Sequence, residues 1–191
     1  MQSNTLVINQ AANNIIIVEG ILQGEKIIES QKTIGHLKNI FQDEVARQKM
    51  DQQEVVYSVQ SYLPVEAGTE GGLFFGTTFL NAGMVGEEYF ITQGHFHKQS
   101  NRAEYYWGIK GNGVLILMDK KRNYRAEYLQ QGSLHYIPAH TAHRVANIGS
   151  DELVFNACWP SDAGYDYEEI IQHGFSCRLL NKDGKPTLVN T

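Results

Sequence analysis

Apolar and polar positions alternate in short runs over most of this chain, a texture that predicts strands. The runs cover residues 54–61, 73–80, 87–93, 104–109, 113–119, 124–129, 134–137, 143–147 and 152–158, and glycines break them. Many short strands at this spacing predict an all-β sandwich or barrel. Two earlier stretches differ. Residues 14–22 (Asn-Ile-Ile-Ile-Val-Glu-Gly-Ile-Leu) are β-branched and apolar, which predicts one strand. Behind Thr33 as N-cap, Ile34, Leu37, Ile40, Phe41 and Val45 recur at spacings of three and four, which predicts a helix to about Met50. Near the end, residues 166–173 read as a short helix stopped by Gly174, followed by a strand over 175–180 and a weakly structured tail. No linker or repeat interrupts the chain. Residues 1–52 are therefore expected to form a strand-helix appendage that packs on the barrel or on a partner subunit, and residues 53–191 the barrel, in one structural domain.

Composition narrows the function classes. The 191 residues, 42% hydrophobic and 19% charged, are enough for one core and exclude disorder for most of the chain. With 16 Lys plus Arg against 21 Asp plus Glu, the net charge of −5 gives no electrostatic footprint for nucleic acid or an anionic membrane. Neither is expected as a partner, and an anionic ligand must be held by local donors. No run approaches the roughly 18 apolar residues of a membrane span, and the first ten residues lack the basic and apolar pattern of an export signal. The two cysteines, Cys158 and Cys177, form no Cys-x-x-Cys pair, so a cytoplasmic location is expected.

Histidine placement carries the chemistry. Five of the seven histidines, His95, His97, His135, His140 and His143, fall between positions 95 and 143. On a strand, residues i and i+2 share a face, so His95 and His97 can offer two imidazoles to one metal ion. A polar turn after His97 and a return strand from Glu104 place that carboxylate across a hairpin, and His143 follows a turn containing Pro138. Three imidazoles and one carboxylate leave open positions on an ion and suit Fe, Mn, Ni or Zn better than Ca or Mg. His135 and His140 lack the phase of the others and are expected to be structural.

In their order and spacing, His95, His97, Glu104, Gly111, Gly132, Pro138, His143 and Asn147 resemble the paired motifs of the cupin superfamily. Two departures stand out: six residues separate His97 from Glu104, and His140 takes the place of a glycine. Further stretches resemble the cupin-type glucose-6-phosphate isomerases. These are Glu54–Tyr57, Phe75–Thr78, Val85–His97, Arg102–Glu104, Ala142–Gly149 and Pro160–Tyr167. The resemblance implies a cupin barrel and one divalent metal ion per subunit, held by His95, His97, Glu104 and His143. It implies a homodimer and the interconversion of glucose 6-phosphate and fructose 6-phosphate in glycolysis and gluconeogenesis. It further implies Tyr57, Thr77, Thr92, the Gly94 amide, Trp159 and Tyr165 around the substrate, with Glu104, Tyr106 and Tyr167 as catalytic candidates. Glu104 is ligand first and base second, because a cation stabilises the ionised carboxylate. Tyr165 and Trp159 differ from some family members, which have a histidine and a phenol there. A cupin Fe(II) oxygenase and a non-catalytic sugar-phosphate binder are the alternatives, because a fold does not fix a function.

Overall fold

Strand alternation and glycine turns build antiparallel layers around an apolar interior. The computed structural model describes residue 11 and residues 13–191; the beginning of the expected appendage, residues 1–10 and 12, lies outside the described residues. The strands are β1 (Asn13–Ile16), β2 (Ile21–Gly24), β3 (Ile27–Thr33), β4 (Val55–Tyr62), β5 (Leu73–Leu80), β6 (Met84–Val85), β7 (Glu88–Tyr89) and β8 (Glu104–Lys110). They continue as β9 (Asn112–Asp119), β10 (Tyr124–Gln130), β11 (Leu134–Ile137), β12 (Thr141–Asn147), β13 (Leu153–Pro160), β14 (Cys177–Lys182) and β15 (Lys185–Asn190). Two short helices, α1 (Glu44–Lys49) and α2 (Glu168–His173), flank them.

A six-stranded sheet in the order β11-β8-β13-β5-β4-β3 faces a three-stranded sheet, β10-β9-β12, and a four-stranded sheet, β15-β14-β7-β6. Leu80 and Phe155 from the first, Leu115 and Val145 from the second and Leu179 from the third belong to one buried cluster. Every residue from Val114 to Met118 is buried, so β9 is covered on both faces and reads as a continuous apolar run. The fold is the expected all-β cupin barrel.

Three local expectations give way. The apolar run 14–22 is a hairpin of β1 and β2, not one strand, because Gly20 at φ 75° reverses the chain. The helix expected from Thr33 to Met50 is a 3-10 turn at Ile34–Leu37 followed by α1. Asn39 in the left-handed region, φ 64°, breaks it, and Asp43 starts α1 by accepting the Ala46 N–H at 2.8 Å. Ile34, Leu37, Ile40 and Phe41 are buried as their period predicts, whereas Val45 is 63% exposed. Finally, the tail expected to be weakly structured forms β15, which pairs with β14 from Cys177↔Asn190 to Lys182↔Lys185; at the other end of the chain, β3 pairs with β4 from Ile27↔Tyr62 to Thr33↔Val55 and so joins the main sheet.

Asn147, at the end of β12, ties the two layers together. Its Nδ2 donates to the Leu80 and Asp151 carbonyls, both at 2.9 Å, and its Oδ1 accepts from Gly149 N at 2.9 Å. Fully buried, it is a structural clamp. Asn147→Ala leaves these groups unpaired, and urea unfolding is expected to show a loss of about 2–4 kcal/mol with the m-value unchanged. A loss within measurement error contradicts the clamp.

Candidate metal centre

Four side chains from three parts of the fold meet inside the barrel. His95 and His97 lie on the stretch between β7 and β8, where His95 bridges His143 of β12, and Glu104 opens β8. One ligand atom from each of the four lies within 4.8 Å of the others. Opposite ligands across an ion with bonds of about 2.1 Å stand about 4.2 Å apart, so the set needs little contraction to close on one centre. His95, at the same time, packs edge-on against His143, with ring centroids 4.4 Å apart.

The hydrogen bonding fits a metal as well. Nε2 of His95, His97 and His143 and Oε1 of Glu104 are buried without a hydrogen-bond partner. Although His143 Nε2 and Glu104 Oε1 stand 2.6 Å apart, their geometry is not that of a hydrogen bond. Four orphaned buried polar atoms in one place are costly, and a cation satisfies all of them. Behind His97, the Arg102 carbonyl lies 2.9 Å from Nδ1, a partner that places the proton on Nδ1 and leaves Nε2 free to ligate.

Burial alone would raise the Glu104 carboxyl, but His143 and then His97 outweigh it and hold the group well below the usual carboxylate range. Burial, reinforced by His143, keeps His95 neutral by pushing its pKa well down. The neighbouring phenols go the other way. Burial raises Tyr106, helped by the Glu104 charge, and also Tyr57 and Tyr167, so all three stay protonated at neutral pH. They can donate a proton or a hydrogen bond, and Glu104 is the one of these groups that is ionised, a weak base while its neighbours hold its pKa down.

An aromatic wall surrounds the four. The Tyr106 ring lies 5.6 Å from His143, and those of Tyr165 and Tyr167 lie 4.8 and 5.4 Å from His95. Tyr165 and Tyr167 stack at 5.5 Å with 16° between their planes. The segment that carries both tyrosines is strapped down by Arg102, which donates to both Asp162 carboxylate oxygens at 2.8 and 2.6 Å. On the opposite side, the Thr92 hydroxyl accepts from Val145 N at 3.0 Å, which leaves its own proton to donate. Tyr57 Oη accepts from Gln93 N at 3.4 Å, next to Gly94.

Thr77 requires a correction. It pairs with Gln60 and Asn156, on the outer face of the six-stranded sheet, and its hydroxyl is taken up by the Gly20 carbonyl and Asn156 Nδ2, both at 2.6 Å. Thr78 pairs with Val59 and Phe155, and Phe155 packs 5.0 Å from Tyr106, so Thr78 is the threonine on the inner face. The two adjacent threonines look alike in sequence; only the strand's phase separates them, and Leu80, fully buried two residues on, sets it.

His135 and His140 stay outside the centre. His135 Nδ1 lies 2.7 Å from Glu127 and its Nε2 lies 2.8 Å from the Ser133 hydroxyl, distances that resemble a nucleophile relay. That hydroxyl, however, donates to the Gln130 carbonyl and accepts from Gln130 N, so the three residues lock a turn. His140, exposed at φ 63°, contacts Ser100 Oγ at 3.1 Å.

Among the described residues, no helix is long and apolar enough to cross a membrane. The profile of the family "Glucose-6-phosphate isomerase (GPI)" matches residues 31–190. Glucose-6-phosphate isomerase of Pyrococcus furiosus is 36% identical over 173 residues, 90% of this chain and 89% of that protein. The enzyme of the same name from Thermococcus litoralis is 38% identical over 168 residues, 87% of this chain and 86% of that protein. Oxalate decarboxylase of Bacillus subtilis overlaps 57% of this chain and 26% of its own at 20% identity and a TM-score of 0.44, too slight a likeness to bear on function. The profile includes all four converging ligands and the tyrosines around them, and the likeness runs nearly end to end in both relatives: the chain belongs to the glucose-6-phosphate isomerase family.

Proposed function

We propose that this protein is a metal-dependent aldose-ketose isomerase that interconverts glucose 6-phosphate and fructose 6-phosphate, with one divalent ion, Fe, Mn, Ni or Zn, held by His95, His97, Glu104 and His143. The observation that carries the reading is the cluster of four orphaned ligand atoms walled by protonated tyrosines, in a chain of this family. An ion held by these four residues would supply Lewis-acid stabilisation for the negative charge that develops on the sugar oxygens.

The chain's own residues do the rest. Thr92, Thr78, Tyr57 and the Gly94 N–H hold the phosphate; hydroxyl and amide donors suffice for a dianion without a basic cluster. Tyr165, Tyr167 and Trp159 line the sugar. Tyr106 and Tyr167, as phenols, donate to sugar oxygens and return protons to them. Glu104 carries the proton between C2 and C1 in the enediol route and remains a ligand alone if hydride shifts directly.

The test is metal analysis of the purified protein joined to a coupled assay on fructose 6-phosphate before and after chelation. Turnover lost on chelation, restored by added metal and undiminished without O₂ supports the isomerase; turnover that needs O₂ or ignores chelation refutes it. The choice between threonines is a separate prediction. Thr78→Val is expected to raise the KM for fructose 6-phosphate roughly tenfold or more, the worth of one hydrogen bond to a charged group. Thr77→Val is expected to lower stability and leave KM within about twofold. The reverse pattern in the coupled assay restores Thr77 as the substrate contact.

The reading extends to a cytoplasmic homodimer. Leu134 (67% exposed), Tyr105 and Tyr136 crowd one side of the outer sheet face, where a second copy can cover them. The free thiols Cys158 and Cys177 suit a reducing compartment. Light scattering is expected to give twice the 21.5 kDa chain mass.

A further inference from the structure

Arg144 follows the metal-facing His143 on β12, yet its side chain takes the opposite face and is 3% exposed. Its Nη2 donates to the Gln93 carbonyl at 2.8 Å, its Nε has no partner, and its guanidinium lies 4.1 Å over the Phe175 ring. No carboxylate of the described residues comes within 4.0 Å of it. The charged groups that act on it most strongly are Glu88, which favours its charge, and Arg178, which opposes it. Glu88 is already engaged: both its oxygens lie 3.0 Å from Arg178 Nη1, and Oε2 accepts from Gln42 N at 2.8 Å. One buried positive charge is thus left without a counterion, an arrangement that is costly unless something draws on it.

The turn that Arg144 grips is the one next to the metal ligands. A trans peptide points its carbonyl and the following N–H in opposite directions, so a Gln93 carbonyl held by Arg144 turns the Gly94 N–H away from the guanidinium, back across the turn. That N–H donates to no acceptor among the described residues. Gly94 has φ 74°, and a Cβ there would stand 2.9 Å from both Arg144 Cβ and Phe175, so the backbone rests directly on the arginine.

We infer that Arg144 is a positioning residue for substrate phosphate: it fixes the Gln93–Gly94 peptide with the N–H presented to the anion, and its unneutralised charge offsets the phosphate dianion from behind the turn. The inference rests on the proposed reading that the 92–94 turn receives the phosphate. It explains how a chain of net charge −5 holds a dianion with neutral contacts alone.

The test uses metal-loaded protein and inorganic phosphate as a competitor of fructose 6-phosphate. Arg144→Met is expected to raise the phosphate inhibition constant and the KM for fructose 6-phosphate about tenfold or more. Bound metal is expected to stay at the wild-type level, and kcat to fall by less than KM rises, a split that general loosening of the fold would not produce. Arg144→Lys keeps the charge on a smaller donor and is expected to fall between the two; if Arg144→Met does not fold, the lysine variant decides alone. Unchanged phosphate affinity in the folded variants overturns the inference. Thr92→Val, measured in parallel, separates this from the parent reading. If Thr92→Val weakens phosphate binding and the Arg144 variants do not, only the role of Arg144 fails. If none of the three changes it, the turn does not take the phosphate and both readings fail.

Discussion

Replacing His143 with glutamine is expected to cut kcat/KM by about a thousandfold or more and to strip the purified protein of most of its metal, while the barrel stays folded. The imidazole sits at the junction of the site: 2.6 Å from Glu104, 4.4 Å between ring centroids from His95, and directly paired with His95 along the backbone. Its loss removes a ligand and, equally, the largest influence holding the Glu104 carboxylate ionised. The Glu104 pKa then rises in the metal-free protein, which weakens the second ligand along with the first. Folding is spared because the His143 ring makes one hydrogen bond among the described residues, a long one of 3.4 Å from Nδ1 to the Thr141 carbonyl, and the backbone bonds to His95 do not depend on the side chain. Metal content and coupled-assay rates, with circular dichroism as the control, check this. Near-normal turnover with full metal would remove His143 from the ligand set.

The second large effect belongs to Glu104. Glutamine there keeps the volume but removes the single negative charge among the four ligands and the one ionised base beside the phenols. Metal affinity is expected to fall, and at saturating metal kcat is expected to remain lower by about 10²–10⁴, the usual worth of a positioned general base. Saturation is the informative condition, since it restores the ion without restoring the base. If kcat recovers fully there, Glu104 is a ligand alone. Wild-type turnover in D₂O is the companion measurement: deuterium at the migrating position is expected for the enediol route, and its absence goes with a direct hydride shift.

What could be read from the sequence follows from which signals are local. Alternation and glycine punctuation place most strands from 55 to 160 to within about two residues, because each of these strands buries one face or both; the run 87–93 is the exception, with only β7 (Glu88–Tyr89) formed there and β6 (Met84–Val85) unforeseen. β3, by contrast, is an edge strand with four consecutive exposed residues, and β15 is exposed throughout, so neither has an apolar period to read. The helical period after Thr33 was real as a burial pattern, but two separate turns produce it, and nothing local distinguishes those from one helix. At the site, His95, His97, Glu104 and His143 were visible because metal ligation requires particular residue types in particular phase. Which of Thr77 and Thr78 faces the interior is not legible, because two neighbouring β-branched residues carry no label of face. Arg144 carries no local signal: a lone arginine beside a histidine looks like surface charge in sequence, and only its burial and its grip on Gln93 set it apart.

The four ligand atoms do not come from one hairpin. Glu104 begins a strand of the six-stranded sheet, His143 lies in the three-stranded sheet, and His95 and His97 ride on the stretch that passes between them. Any cation taken up there joins both layers of the barrel, and its binding energy is then added to the folding energy. Heat resistance in this protein should therefore follow metal supply, so that a cell short of the ion would lose the molecule to unfolding as well as its turnover.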